Sequence, residues 1–182
     1  MKGEWVLMAM APVFLGFVAW EAWHWHRRGR DIYTLRDTLG NAALALMHQA
    51  ADALAWLLVI GLYWWVYQYR LFDLPTAWWT IALLFVAQDF FYYFFHRAHH
   101  RVRWMWASHV VHHSSERLNF STAFRQSLTY PVSGMWVFWL PLAWLGFSPL
   151  HIVVVVAINL GFQFFVHTQA AGKLGWLEKV FN

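Results

Sequence analysis

Long apolar stretches separated by short polar ones set the plan of the chain. Residues 4–23, 41–67 and 77–95 are dominated by Leu, Ala, Val, Phe and Trp. As helices, each is long enough to cross the roughly 30 Å hydrocarbon core of a bilayer. A polar, basic segment, HWHRRGRDIYTLRDTLG, separates the first two. The connection QYRLFDLPTAW, with Pro75 and flanking Trp, has the composition of an interfacial turn. Residues 96–130 form a polar, basic insertion, after which Pro131 opens a helical hairpin with arms 131–147 and 150–166 about the turn GFSP. Each arm is near the short limit of about 17 residues for a crossing, so a re-entrant hairpin fits as well as two spans. The expected fold is an all-α integral membrane helical bundle of about four to five membrane helices with a histidine-rich cap on one side. It forms a single membrane domain over 1–182, without internal repeats.

Composition sharpens this. The chain is 60% hydrophobic and 12% charged, against about 25% charged for a soluble domain. It has no cysteine, which excludes disulfides, Cys-ligated iron–sulfur clusters, thiolate haem and thiol catalysis within it. The N-terminal apolar run is longer than a signal-peptide core and is followed by Arg27, Arg28 and Arg30 rather than a small-residue cleavage site, so a retained helix is expected. With the segment after the first helix placed in the cytoplasm, eleven Lys and Arg fall inside. Only Lys2 and Arg70 fall outside. That asymmetry orients the protein. It accounts for the net charge of +4 without a nucleic-acid partner.

The same orientation puts six histidines on one face. They lie in two clusters, His96/His99/His100 and His109/His112/His113. His96 and His100 are spaced i, i+4, and the second cluster i, i+3, i+4, so each gathers imidazoles on one side of a helix. Neutral imidazole suits iron, zinc, copper and nickel. Were 96–113 one straight helix, the second cluster would sit on nearly the opposite face, about 20 Å along the axis. A shared site therefore requires a bend between Arg101 and Ser108. HRAHH and HVVHH lack the Glu of HExxH, which disfavours that zinc peptidase motif. Nearby carboxylates are few: Asp89, Glu116 and, further on, Glu178. Asp89, at i−7 from His96, is a candidate to fix a ligand tautomer. Glu116 and Asn119 are candidates to orient ligands or bind a polar head. His48 and Asp52, spaced i, i+4 in the second helix, read either as a self-satisfied pair or as support for the site. His99 reads as a headgroup-facing residue, and His24, His26 and His151 as interfacial. The arginines of 97–125 read as topology and headgroup charges. Trp104, Trp106 and Phe120 are candidates to line a lipid tunnel.

HxxxH followed by HxxHH beside membrane helices resembles the fatty acid hydroxylase/sterol desaturase superfamily of membrane di-iron oxygenases. The matching residues are His96 and His100, then His109, His112 and His113, with the flanks DFFYYFFHR and HHSSERLNFSTAFRQS. The trailing flank resembles the alkylglycerol monooxygenase branch and its bacterial relatives. The resemblance covers about 88–168 and adds His167, which matches a family histidine, as a sixth metal ligand. It implies two iron ions, with zinc as a substitute, held at the cytoplasmic membrane face of a multi-pass protein. That membrane is the inner membrane if bacterial and the endoplasmic reticulum if eukaryotic. It implies O2 as co-substrate and hydroxylation or desaturation of a lipid of sterol, fatty acyl or alkylglycerol type. Electrons come from a cytochrome b5-like or ferredoxin-like donor, or from a tetrahydropterin. Members carry a third box, another HxxHH, downstream of the segment resembling FFVHTQAAGKLGWLEKVFN. The chain stops at Asn182, and is expected to be the N-terminal part of a longer catalytic domain, inactive as given. Two competitors stand beside this: a zinc-dependent membrane hydrolase with Glu116 as its base, and a non-catalytic metal-binding or transport protein.

Overall fold

The computed structural model describes residues 3–173, 175 and 176. Lys2, Glu178 and Lys179, weighed above, lie outside them. Among the described residues there is no strand. Seven α-helices follow in order: α1 (Gly3–His26), α2 (Leu35–Gln68), α3 (Trp78–Arg101), α4 (Arg103–His109), α5 (Tyr130–Ser133), α6 (Leu140–Leu145) and α7 (Pro149–Gln163). Short 3-10 turns occur at His112–Ser114, Phe120–Phe124, Met135–Trp139 and Phe164–Val166. Among the described residues, three helices are long and apolar enough to cross a membrane: α2, α3 and Pro149–Val166. α1 packs lengthwise on α7.

The second helix is longer than its apolar run. It starts at Leu35, where Thr34 caps it and accepts the Asp37 N–H at 3.3 Å. Thirty-four residues at 1.5 Å each give a rod of about 51 Å, well beyond a bilayer core of roughly 30 Å. Its first turns, carrying Asp37 and Asn41, project past the apolar layer, while Leu46, Leu54, Leu58 and Trp65 face outward.

The hairpin arm at 131–147 is not a continuous helix. Gly134 closes α5 with φ +87°, and Pro141, which has no N–H to give, sits in the first turn of α6. The resulting short pieces pack against α2 and α3 around buried Tyr63, Leu84, Phe95, Trp139, Leu142 and Ile152. The Tyr63 hydroxyl donates to the Trp136 carbonyl at 2.6 Å, one of the acceptors such a break leaves over. At the far end of α6, Gly146 has φ +116°, and a Cβ there would meet the Phe72 carbonyl oxygen at 2.1 Å. Only glycine lets the α2–α3 connection lie so close.

The segment after α1 lies against the loop that follows the second histidine cluster. Arg117 donates to the Asp31 carbonyl and Asn119 to the Ile32 carbonyl, each at 2.8 Å. Arg30 reaches Gln169 at 3.3 Å. The basic segment, both clusters and His167 therefore share one end of the bundle.

Candidate metal centre

The bend occurs where the histidine spacing requires it. Val102, extended at φ −97° and ψ 119°, ends α3 after Arg101, and α4 starts at Arg103. The turn folds the second cluster back over the first. His96 Nε2 lies 3.0 Å from His100 Nε2. His100 Nε2 lies 3.2 Å from His109 Nε2, which lies 3.1 Å from His113 Nε2. All four ligand nitrogens fall within 4.8 Å of one another. Around a metal with bonds of 2.0–2.1 Å, adjacent nitrogens would be about 2.9 Å apart in an octahedron and about 3.3 Å in a tetrahedron. The three neighbouring separations, 3.0, 3.2 and 3.1 Å, fall in that range.

His112 and His167 form a second pair, with Nε2 atoms 3.1 Å apart. Each has its other ring nitrogen on a backbone carbonyl, His112 Nδ1 donating to Arg125 at 3.0 Å and His167 Nδ1 to Gln163 at 2.8 Å. Those donations fix both protons on Nδ1 and leave two lone pairs facing each other. A proton does not bridge them at neutral pH: burial, then the neighbouring His167, push His112 down to about 4. A divalent cation is the partner this arrangement suits. Burial and the surrounding imidazoles push His109 down to about 2, and burial lowers His113 and His167. Neutral imidazole is the form that binds metal.

The supports of these ligands come from distant parts of the chain. The Tyr130 hydroxyl is 2.6 Å from His109 Nδ1. Arg125, whose carbonyl holds His112, is held by α2: its guanidinium donates to Asp37 at 2.5 Å and Asn41 at 2.8 Å, and to Ser114 at 3.0 Å. It is an internal strut, not a headgroup charge. Glu21 of α1, with no exposed surface, escaped the sequence reasoning. Its carboxylate accepts from the Tyr33 hydroxyl at 2.6 Å, the Phe120 N–H at 2.7 Å and the Thr168 hydroxyl. It thus ties α1 to the residue after His167. An ionisable residue within an apolar helix was the available signal. Burial and the Glu21 carboxylate raise the Tyr33 phenol, keeping it a donor.

The remaining candidate residues take the following places. His99 does not face headgroups; it is buried, with Nδ1 donating to the Phe95 carbonyl at 2.8 Å and Nε2 3.1 Å from the Ser133 hydroxyl. Asp89 accepts from Asn159 at 3.0 Å and so joins α3 to α7. Asn119 caps the turn after the second cluster, accepting the Ser121 N–H at 3.0 Å. Glu116 is exposed. His48 joins α2 to the loop before α5. It pairs with Asp52 at 3.3 Å and meets the Ser127 carbonyl at 3.0 Å, with its ring edge on Tyr130. Phe120 packs with Phe14 and Phe164, and Trp106 lies over His100 and His113.

The cavity is lined elsewhere. About 330 Å³ of space lies among α2, α3 and α7, with His48, His96, His109 and His112 at one end and Trp56, Ile60, Val153 and Val156 in its apolar wall. Leu57 and Leu150 on its rim are exposed, so it opens sideways, where lipid would lie.

The profile of the fatty acid hydroxylase family matches residues 81–182. Among individual proteins, human alkylglycerol monooxygenase is 37% identical over 160 residues, covering 87% of this chain and 36% of that protein. The zebrafish protein of the same name is 33% identical over 174 residues, 94% of this chain and 39% of its own length. The Xenopus tropicalis one is 44% identical over 115 residues, 63% of this chain and 25% of its own. The chain thus spans little more than a third of these relatives at most. No solved structure matches it significantly. The paired histidine boxes, their convergence across the bend at Val102 and the profile over more than half the chain agree: the chain belongs to the fatty acid hydroxylase family.

Proposed function

We propose that the chain forms the first-metal and part of the second-metal site of a di-iron, O2-dependent enzyme that hydroxylates or desaturates a lipid. His96, His100, His109 and His113 would hold one iron, and His112 and His167 would contribute to the other. When bound, the metals would supply reductive activation of O2 toward an unactivated C–H bond. The chain's own residues do the rest. Tyr130, Arg125 and Gln163 hold the imidazoles in one tautomer and orientation. The lateral cavity admits an alkyl chain and delivers one carbon to the histidines. Electrons come from an external cytochrome b5-like or ferredoxin-like protein or a tetrahydropterin, reaching a site that faces the cytoplasm. The observation that carries this is the convergence of four Nε2 atoms within 4.8 Å at the end of a cavity open to lipid. Glu116, the base a zinc hydrolase would need, is exposed, which favours the oxygenase.

The test is anaerobic loading of the full-length protein with ferrous iron, then addition of reductant, lipid and 18O2. Two irons per chain, loss of iron in His109→Ala and H112A, and 18O in a lipid hydroxyl, or O2-dependent formation of a double bond, are expected. Stoichiometric zinc, no O2 consumption and a hydrolysed lipid would refute it.

A further inference from the structure

A second opening reaches the histidines. An open groove runs along α3, lined by Asp89, Tyr92, Tyr93, His96, Arg97 and His100. Every one of these side chains carries a polar atom, in contrast to the Trp, Ile and Val wall of the lateral cavity. Tyr92 and His96 line both spaces and so stand between them. From His100 down to Asp89 the groove follows about 16 Å of helix. Asp89 is the twelfth of the 24 residues of α3. It is exposed, and its carboxylate accepts from Asn159 at 3.0 Å.

A membrane-crossing helix rarely shows an ionisable side chain to lipid at mid-length, because hydrocarbon offers it no hydrogen bonds. Ionisable groups at that depth face protein or a water-filled space. α3 has a separate face for lipid: Leu83, Val86, Phe90 and Phe94 are exposed and form one stripe. At 100° per residue Asp89, Tyr93 and His100 form another, about a quarter turn away. The polar stripe is held in shape. Arg97 donates to the Tyr93 hydroxyl at 2.8 Å. The Tyr92 hydroxyl donates to Gln163 at 2.7 Å, whose amide reaches Asn159 and, through it, Asp89.

We propose that this flank of α3 is a hydrophilic entrance to the metal centre, filled by water continuous with the solvent at the histidine end of the bundle, with Asp89 at its inner end. Lipid enters through the lateral cavity, and water and protons pass along the groove, with Tyr92 and His96 as the partition. Reduction of O2 consumes protons and releases water, whether a hydroxyl or a double bond results, and an apolar cavity carries neither well. This rests on the metal reading above. It adds which surface serves the hydrophilic reactants.

The experiment places single thiols in the full-length protein, in lipid nanodiscs, with any other cysteine changed to serine. Two pairs are matched for depth: Asp89→Cys with Phe90→Cys, and Tyr93→Cys with Phe94→Cys. Tyr93 and Phe94 are 54% and 44% exposed, and neighbours in a helix differ by about 1.5 Å in depth. The reagent is a quaternary-ammonium methanethiosulfonate, which does not enter hydrocarbon. Because the thiolate is the reacting form and needs water, the polar-stripe thiol of each pair is expected to react about tenfold or more faster. Equal rates within either pair, fast or slow, would overturn the proposal. Cobalt(II) uptake, followed optically, then asks whether the groove leads to the centre. The unlabelled variants should bind as much cobalt as the parent, which confirms that they fold. Labelling Tyr93→Cys should slow uptake by the four-histidine site several-fold. Uptake indifferent to that label would overturn the proposal as well. Were the unlabelled protein to take up no cobalt while the thiol rates still differed, the groove would be wet, but the metal reading, and the entrance with it, would fall.

Discussion

On the proposed two-metal reading, replacing Arg125 by methionine should damage the His112–His167 pair more than the four-histidine cluster. The Arg125 and Asp37 side chains are 17% and 22% exposed, with 2.5 Å between their charged atoms. Methionine keeps the apolar stem but strands the Asp37 carboxylate. Removing one partner of a buried pair costs roughly 3–5 kcal/mol. These groups keep some water contact, so the lower end, about 3 kcal/mol, is expected. Asn41 and Ser114 lose a donor as well. The local consequence runs through the backbone. The Arg125 carbonyl accepts from His112 Nδ1 at 3.0 Å, and loosening that support should weaken metal binding at His112 and His167 by about tenfold or more. His96, His100, His109 and His113 do not contact Arg125 and should keep their metal. Cobalt(II) titration of the full-length protein in detergent, followed optically, separates the two affinities, and thermal unfolding reports stability. The double variant Asp37→Asn with Arg125→Met removes the stranded charge and should recover at least half of the lost stability. Equal weakening of both sites, or a double variant as unstable as the sum of the single ones, would refute the coupling through α2.

Tyr130→Phe removes the hydroxyl on His109 Nδ1 and should weaken the four-histidine site by about tenfold in the same titration, with the melting temperature little changed. Gly146→Ala sets a Cβ against the Phe72 carbonyl at φ +116° and should cost at least about 2 kcal/mol, read as a lowered melting temperature with metal affinity unaltered. The metal-free protein should be pH-sensitive in one direction. His112 titrates at about 4 folded and at about 6.5 unfolded, so below pH 6.5 the unfolded chain takes up a proton that the folded chain refuses. Stability is full above pH 6.5 and falls as pH drops toward 4. Metal-loaded protein should melt with less pH dependence over the same range.

The membrane helices, the bend and the histidine convergence were legible because each rests on a local pattern. Apolar length marks α2 and α3, and i, i+4 spacing marks the ligand faces. The geometric conflict between the two clusters required a break between Arg101 and Ser108, and it falls at Val102. What was not legible depends on partners far apart in sequence. Arg125 resembles any basic residue at a membrane face until Asp37 and Asn41 arrive from 88 and 84 positions away. His99 sits among ligand histidines, yet its neighbours Phe95 and Ser133 make it a buried packing residue. The arm 131–147 carried its own warning in Gly134 and Pro141, but apolar composition alone resembles a span.

The first third of the chain contains no proposed ligand, yet the centre depends on it. Six imidazoles gathered at one end of the bundle would splay without a frame, since each buries polar nitrogen at the edge of an apolar layer. Two polar clamps supply part of that frame. One is the N-terminal end of α2, where Asp37 and Asn41 grip Arg125 and so His112. The other is Glu21, which gathers Tyr33, Phe120 and Thr168 and so fixes the loop on one side and His167 on the other. Both act on the His112–His167 pair, while the four-histidine cluster is held by the α3–α4 turn and Tyr130. The two halves of the centre thus hang on different elements. Perturbing α1 or the start of α2 should weaken metal binding at the His112–His167 pair first, whereas a change at Val102 should weaken it at the four-histidine cluster first.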